Sequence, residues 1–176
     1  MLANAKSRYT ARLKPYPSCP GGPAASVEVD YWRDGRFLLV RFRTMEDNDW
    51  IAWPEAAASE RRDELWRSTC FEVFAQTADG YVEYNLSPSS EWASYLFDGY
   101  REGMRPAAET VVSKGVRFEG YGAALEAQLE LPEDVRRLGV SAVLRTVEGE
   151  TFYWALAHPS DKPDFHHPDS FVLELP

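Results

Sequence analysis

The stretch that decides the fold runs from residue 66 to residue 105, WRSTCFEVFAQTADGYVEYNLSPSSEWASYLFDGYREGMR. Its first half alternates with a period of two, the spacing of side chains along a β-strand. Over residues 69 to 75, Phe71, Val73 and Ala75 fall on one face while Cys70, Glu72 and Phe74 fall on the other. Over residues 80 to 86, Val82, Tyr84 and Leu86 oppose Tyr81, Glu83 and Asn85. The Asp79-Gly80 pair marks a hairpin turn, and a loop of residues 77 to 80 sets Glu72 opposite Asn85. Shortening that loop to two residues changes the partners but not the faces, because the shift is even. One face of the hairpin therefore carries Glu72, Glu83 and Asn85 beside Phe74 and Tyr81, with Trp66 just before it. Carboxylate, amide and indole together suit recognition of a polar, ring-shaped ligand.

The same period extends outward from the hairpin. Val27, Val29 and Tyr31 open a strand. After the Asp34-Gly35 turn, Leu38, Val40 and Phe42 continue the pattern, with Arg41 and Arg43 pointing the other way. Residues 92 to 100 read as a strand in preference to a helix capped by Ser90. Further strands are expected over residues 116 to 121, 125 to 131, 140 to 147, 152 to 157 and 171 to 175. Within 125 to 131, Leu125, Ala127, Leu129 and Leu131 face inward while Glu126, Gln128 and Glu130 face away. Residues 54 to 65, PEAAASERRDEL, read as a short helix opened by Pro54 or equally as a solvated loop, and 132 to 138 as a helical turn. Residues 1 to 25, rich in proline and glycine towards their end, read as an irregular lead-in to one domain over 26 to 176. Nine or ten antiparallel strands, no βαβ alternation and no internal repeat predict an all-β, jelly-roll-like sandwich with one or two short helical turns.

Composition narrows the function. The 176 residues carry 19 basic and 28 acidic side chains, a net charge of −9 that disfavours nucleic acid or an anionic membrane as partner. No apolar run approaches the ~20 residues that span a bilayer, and the amino-terminal residues lack the apolar core of a signal peptide. A cytoplasmic location is expected, with Cys19 and Cys70 as reduced thiols. The composition leaves the oligomeric state open.

The run from Trp66 through Cys70-Phe71-Glu72, the strand Gly80-Tyr-Val-Glu-Tyr-Asn85 and the ending Trp154-Ala-Leu-Ala-His158-Pro…Asp164-Phe-His166 resemble the DOMON-like superfamily. That superfamily includes family 9 carbohydrate-binding modules and haem-binding DOMON domains, and the resemblance covers roughly residues 26 to 176. It implies a jelly-roll-like sandwich with a ligand site on one sheet or at its rim. In the sugar-binding modules an aromatic six residues before a strand glutamate stacks on the sugar, and the glutamate accepts hydroxyl protons. Trp66 and Glu72 match that spacing. The family's second stacking aromatic has no clear counterpart, and Phe165 or a histidine occupies its region.

Taken together, these features predict non-catalytic binding of a small polar ligand, a sugar or glycoconjugate first among them. The expected contacts are Trp66, Glu72, Glu83, Asn85, Gln128, His158 and His166, with Arg101 balancing the carboxylates. One of His166 and His167 is expected near the strand that carries Glu72. The resemblance also implies an alternative, a haem held by Met45 or Met104 with His158 or His166; an interaction domain with a decayed site is a third. Nothing in the sequence has the form of a catalytic or metal motif: GxSxG, HExxH, CxxC and the Gly-rich phosphate loop are all missing. The acidic run Glu46-Asp47-Asn48-Asp49 offers hard oxygens for calcium but lacks EF-hand spacing.

Overall fold

Alternation in residues 70–86 becomes a hairpin whose two faces bury different things. In the computed structural model, which describes residues 7–19, 22–46 and 49–175, the hairpin lies at the middle of the larger of two antiparallel sheets. The strands are β1 (Tyr9–Arg12), β2 (Lys14–Pro15), β3 (Ala24–Asp34), β4 (Phe37–Glu46), β5 (Cys70–Gln76), β6 (Tyr81–Leu86) and β7 (Trp92–Phe97). They continue as β8 (Arg105–Pro106), β9 (Val111–Phe118), β10 (Gly122–Glu130), β11 (Arg137–Arg145), β12 (Thr151–Ala155) and β13 (Leu173–Glu174). One sheet has the order β1-β3-β4-β10-β9, the other β2-β12-β11-β5-β6-β7-β8, with β13 on the end of β11. The chain enters the larger sheet at β2 and leaves it at β3, changes sheet again between β4 and β5, returns between β8 and β9, and crosses once more between β10 and β11. The result is a β-sandwich.

Its interior is built from the inward parity of both sheets. Val27, Val29, Leu38, Val40, Phe42, Leu125 and Leu129 from the smaller sheet meet Phe71, Val73, Val82, Tyr84, Leu86, Val140 and Leu144 from the larger. Phe42 and Phe71 touch across the gap with ring centroids 4.8 Å apart. Each such side chain contributes roughly 1.5–3 kcal/mol by leaving water, so this core carries most of the fold.

The outer face of the larger sheet holds a second, smaller cluster. Cys70, Phe74, Tyr81, Ala93, Tyr95 and Phe97 point outward and are covered by Leu65, Trp66, Phe165 and Phe171. The covering chain is the 3-10 turn Leu65–Arg67 and the irregular segment from 156 to 172, which contains a second 3-10 turn, Pro168–Ser170. Gly139 anchors this strap. It pairs with Phe74 across the ladder, and a Cβ added to it would stand 2.6 Å from the Phe171 ring. The missing side chain is the slot in which Phe171 lies, stacked on Phe74 at 5.8 Å.

Three expectations change. Residues 54–64 take the loop alternative and not the helix, and Leu65 opens a 3-10 turn: their charged run offers no apolar stripe to bury. Their backbone instead runs beside β7, with the Arg62 N–H donating to Trp92 O at 2.9 Å and the Trp92 N–H to Glu60 O at 3.1 Å. Residues 132–138 are a turn followed by the start of β11, with no helix. The lead-in is not wholly irregular, because β1 pairs with β3 and β2 with β12. Among the described residues there are thirteen strands, the surplus over ten being the short β1, β2 and β8. Both cysteines are free, Cys19 exposed and Cys70 buried. Of the acidic run at 46–49, Asp47 and Asn48 lie outside the described residues.

Substituting Gly139→Val tests the anchor. The added methyls displace Phe171, so urea unfolding should show a loss of about 1–3 kcal/mol. An unchanged midpoint would mean that the strap does not depend on this slot.

Candidate functional site

Strand register sets the outer face of the larger sheet in rows. One row is Ser141, Glu72, Asn85 and Ala93, read across β11, β5, β6 and β7. The next is Gly139, Phe74, Glu83 and Tyr95. The two carboxyls are thus diagonal neighbours, with backbones about 7–8 Å apart by sheet geometry. Both lie under the strap, each only 4% exposed. They form the floor of a pocket of about 430 Å³ walled by Trp66, Phe97, Tyr153 and Phe165 and completed by Arg101, Met104, Val143, Pro163 and His166. That volume falls within the ~300–1,000 Å³ typical of small-ligand sites.

Each carboxyl has one protein donor. Ser141 Oγ donates to Glu72 Oε2 at 3.0 Å, and Asn85 Nδ2 donates to Glu83 Oε1 at 3.0 Å. Asn85 is itself fully buried, with Cys70 Sγ 4.0 Å from its Oδ1. Burial, then the neighbouring charge of Glu83, pushes the Glu72 carboxyl well above the usual range. Burial likewise raises Glu83, against the opposing effect of the Asn85 hydrogen bond. Such a pair cannot be doubly ionised without cost, so it retains a proton into the neutral range. The same burial pushes the Cys70 thiol far up, which leaves it unreactive.

The strap supplies the lid. His166 Nδ1 lies 2.7 Å from Tyr81 Oη, and its Nε2 faces Glu83 Oε2 at 3.8 Å. Burial and the charge of Arg101 lower the His166 pKa to about 4, so the imidazole is neutral. Tyr81 Oη also accepts the Arg101 N–H at 3.2 Å. Arg101 adopts a positive φ of 56°, and its guanidinium pairs with Asp164 Oδ1 at 2.8 Å. Tyr100 donates to Asp164 Oδ2 at 2.5 Å. Burial tends to raise Asp164, but these two hydrogen bonds outweigh it and hold the carboxyl below its ordinary range.

Of the residues expected at the site, Trp66, Glu72, Glu83, Arg101 and His166 line this pocket, and Asn85 supports it from the adjacent row. Arg101 does not form the expected ion pair with the carboxyl pair, because Asp164 takes its guanidinium. Gln128 belongs elsewhere: β10 lies in the smaller sheet, and the residue projects from the far side of the sandwich. His158 is also apart, its Nε2 2.8 Å from Lys14 O and its ring edge-on to Tyr16. His167 caps the turn Pro168–Ser170, where its ring accepts the Asp169 N–H. Residues that sequence reading did not select are Ser141, Phe97, Val143, Tyr153 and Pro163. The outward parity of Ser141 was available as a signal once β11 was known to neighbour β5.

Haem fits this pocket poorly. Met104 and His166 do line it, whereas Met45 lies at the end of β4 in the other sheet. But His166 Nδ1 is engaged by Tyr81, and its free nitrogen points at Glu83. An axial bond at Nε2 would hold the macrocycle against the two buried carboxyls.

The raised carboxyls dictate a pH signature. A carboxyl whose folded pKa exceeds its 4.5 reference stabilises the native state at low pH and loses that contribution as pH rises through neutrality. His166 has the opposite sign but acts only below its ordinary 6.5. Between about pH 6.5 and 8, stability should therefore fall for the wild type and fall less for Glu72→Gln, the slopes differing by at most ~1.4 kcal/mol per pH unit. Parallel slopes in urea titrations would show that Glu72 is already ionised across this window.

No protein-family model matches the sequence, and no curated protein matches it. Among solved structures, the chain is similar to a "putative carbohydrate-binding protein" from Bacteroides uniformis, with a TM-score of 0.65 at 16% identity. The match covers 98% of this chain and 88% of that one. At that identity the likeness establishes the β-sandwich architecture.

Proposed function

We propose that the chain is a DOMON-like, non-catalytic carbohydrate-binding protein whose ligand ring lies in the pocket above Glu72 and Glu83. The observation that carries the reading is the pairing of two buried carboxyls with an aromatic wall in one small cavity. Saccharides present apolar C–H faces that stack on rings and hydroxyl edges that can donate to carboxylates. Trp66 is half-buried, packs its edge on Tyr95 at 5.9 Å and keeps its remaining surface for the pocket. Phe165 and Tyr153, whose rings lie 6.0 Å apart, supply further aromatic wall. Phe165 thereby takes the place that the sugar-binding modules give to a second aromatic. A second hollow of about 350 Å³ shares Trp66, Val143 and Tyr153 with the first and continues to Arg67, Arg145 and Thr151. A second sugar unit would extend that way. The description of the Bacteroides protein as carbohydrate-binding accords with this reading.

Two substitutions test it. Trp66→Ala should cost ~2 kcal/mol or more of ligand binding, because a stacking ring acts through desolvated contact. Glu72→Gln keeps the shape and removes a carboxyl that a ligand hydroxyl can bond to, at ~1.5–3 kcal/mol of binding. Both variants should remain folded in thermal melts. A tryptophan variant that unfolds, together with a glutamine variant that binds as before, would return Trp66 to the core and remove the site.

A further inference from the structure

We infer that the ligand carries a positively charged nitrogen, and that an amino sugar is the class of molecule this pocket takes. The inference rests on the reading of the pocket as a carbohydrate site and narrows it. Its basis is an imbalance of partners at the pocket floor. Glu72 and Glu83 are each 96% buried, yet each has a single neutral donor, Ser141 for one and Asn85 for the other. No described residue donates a hydrogen bond to Glu72 Oε1 or to Glu83 Oε2, and both residues line the cavity. A buried carboxylate left without a cation is costly, and proteins ordinarily pair it.

Among the described residues, no charged donor is hydrogen-bonded to the pair. From β5 comes Cys70, a neutral thiol, and from β6 Tyr81, a neutral phenol already engaged with His166. β11 contributes Ser141 and the glycine at 139, and β7 contributes Tyr95, whose hydroxyl donates to Asp63 at 2.6 Å. From the strap, His166 is neutral and Asp164 is negative. Among the described residues lining the pocket, Arg101 is the one cation; its charge favours ionisation of both carboxyls from a distance, but its guanidinium is hydrogen-bonded to Asp164 and to neither of them. Without ligand the pair relieves its repulsion by keeping a proton. A ligand ammonium group would replace that proton, donate to the two free carboxyl oxygens, and lie beside the ring faces of Trp66, Phe97, Tyr153 and Phe165. A neutral sugar can offer hydroxyl donors to the same oxygens but leaves the charge uncompensated.

The test uses matched pairs of rings that differ only at nitrogen: glucosamine with glucose, galactosamine with galactose, and mannosamine with mannose. Titration calorimetry of the intact chain at about pH 6.5, where the amine is protonated, should show one amino sugar binding roughly tenfold or more tighter than its neutral partner. Repeating the titration in buffers of different ionisation enthalpy should show protons released on binding. The advantage should collapse in both Glu72→Gln and Glu83→Gln, read separately. A neutral hexose that binds as tightly as its amino partner would overturn the inference while leaving the carbohydrate reading intact. Binding of a non-sugar amine such as spermidine, with no hexose of either kind bound, would sink the carbohydrate reading and retain the charge. If neither sugars nor amines bind the wild type, both fail.

Discussion

Two carboxyls that share a buried floor constrain everything above them. Strand parity places Glu72 and Glu83 on the same face of adjacent strands, and the strap from 156 to 172 then removes that face from water. The strap is accordingly tethered without adding charge to the floor. Phe171 stacks in the slot left by Gly139, and Tyr81 holds a neutral His166. Asp164, the one acid the strap brings inward, is neutralised by Arg101 and Tyr100 at the rim, where it does not add to the repulsion beneath. An uncompensated third carboxylate on the floor would raise the cost of ionising the pair still further.

Such a site is tolerated because stability is generated on the opposite face of the same hairpin. Phe71, Val73 and Ala75 alternate with the site residues and lie in the sandwich interior, where Phe71 meets Phe42 from the other sheet. One segment thus serves two cores with different tasks. The inner core is dominated by apolar side chains, with the Tyr84 hydroxyl donating to Glu130 O, and it fixes the register. The outer cluster is smaller, mixes Cys70, Phe74, Tyr81 and Phe97 with polar groups, and leaves a cavity. Because register is set from the inside, the positions of Glu72 and Glu83 do not depend on how well the outer cluster packs.

Much of this was legible in residues 70–86 alone. A period of two, broken by Asp79-Gly80, specifies both the hairpin and the sharing of a face by Glu72, Glu83 and Asn85, and the pairing of Glu72 with Asn85 is the one observed. Parity also separated Leu125 and Leu129 from Gln128 correctly. It could not say that the outward side of β10 and the outward side of β5 lie on opposite surfaces of the molecule, because alternation reports a face relative to its own sheet and not which sheet a strand joins. Gln128 was assigned to the site for that reason. His158 fails differently: its loop does come near the large sheet, but its imidazole is taken by Lys14 O from a strand in the supposed lead-in. Tyr153, Val143 and Ser141 were hidden because their meeting depends on β12 and β11 packing beside β5, long-range pairings that no local pattern encodes. Residues 54–65 show the converse. Their composition suits a helix, yet backbone bonds to Trp92 win because a helix there would have no apolar face to bury.

The arrangement of the pair also bears on chemistry. Glycoside hydrolysis places its two carboxyls on either side of the scissile bond, about 5–5.5 Å apart when configuration is retained and 6.5–9.5 Å when it is inverted. One protonates the leaving oxygen while the other attacks, or activates water, from the opposite face of the sugar. Glu72 and Glu83 rise from neighbouring rows of a single sheet face, so both carboxyls open on the pocket from the same side. The groups on the facing side are Pro163, Phe165 and a neutral His166 already bonded to Tyr81. None of these three side chains carries a carboxyl. The raised pKa of the two groups follows from burying like carboxyls together on one floor.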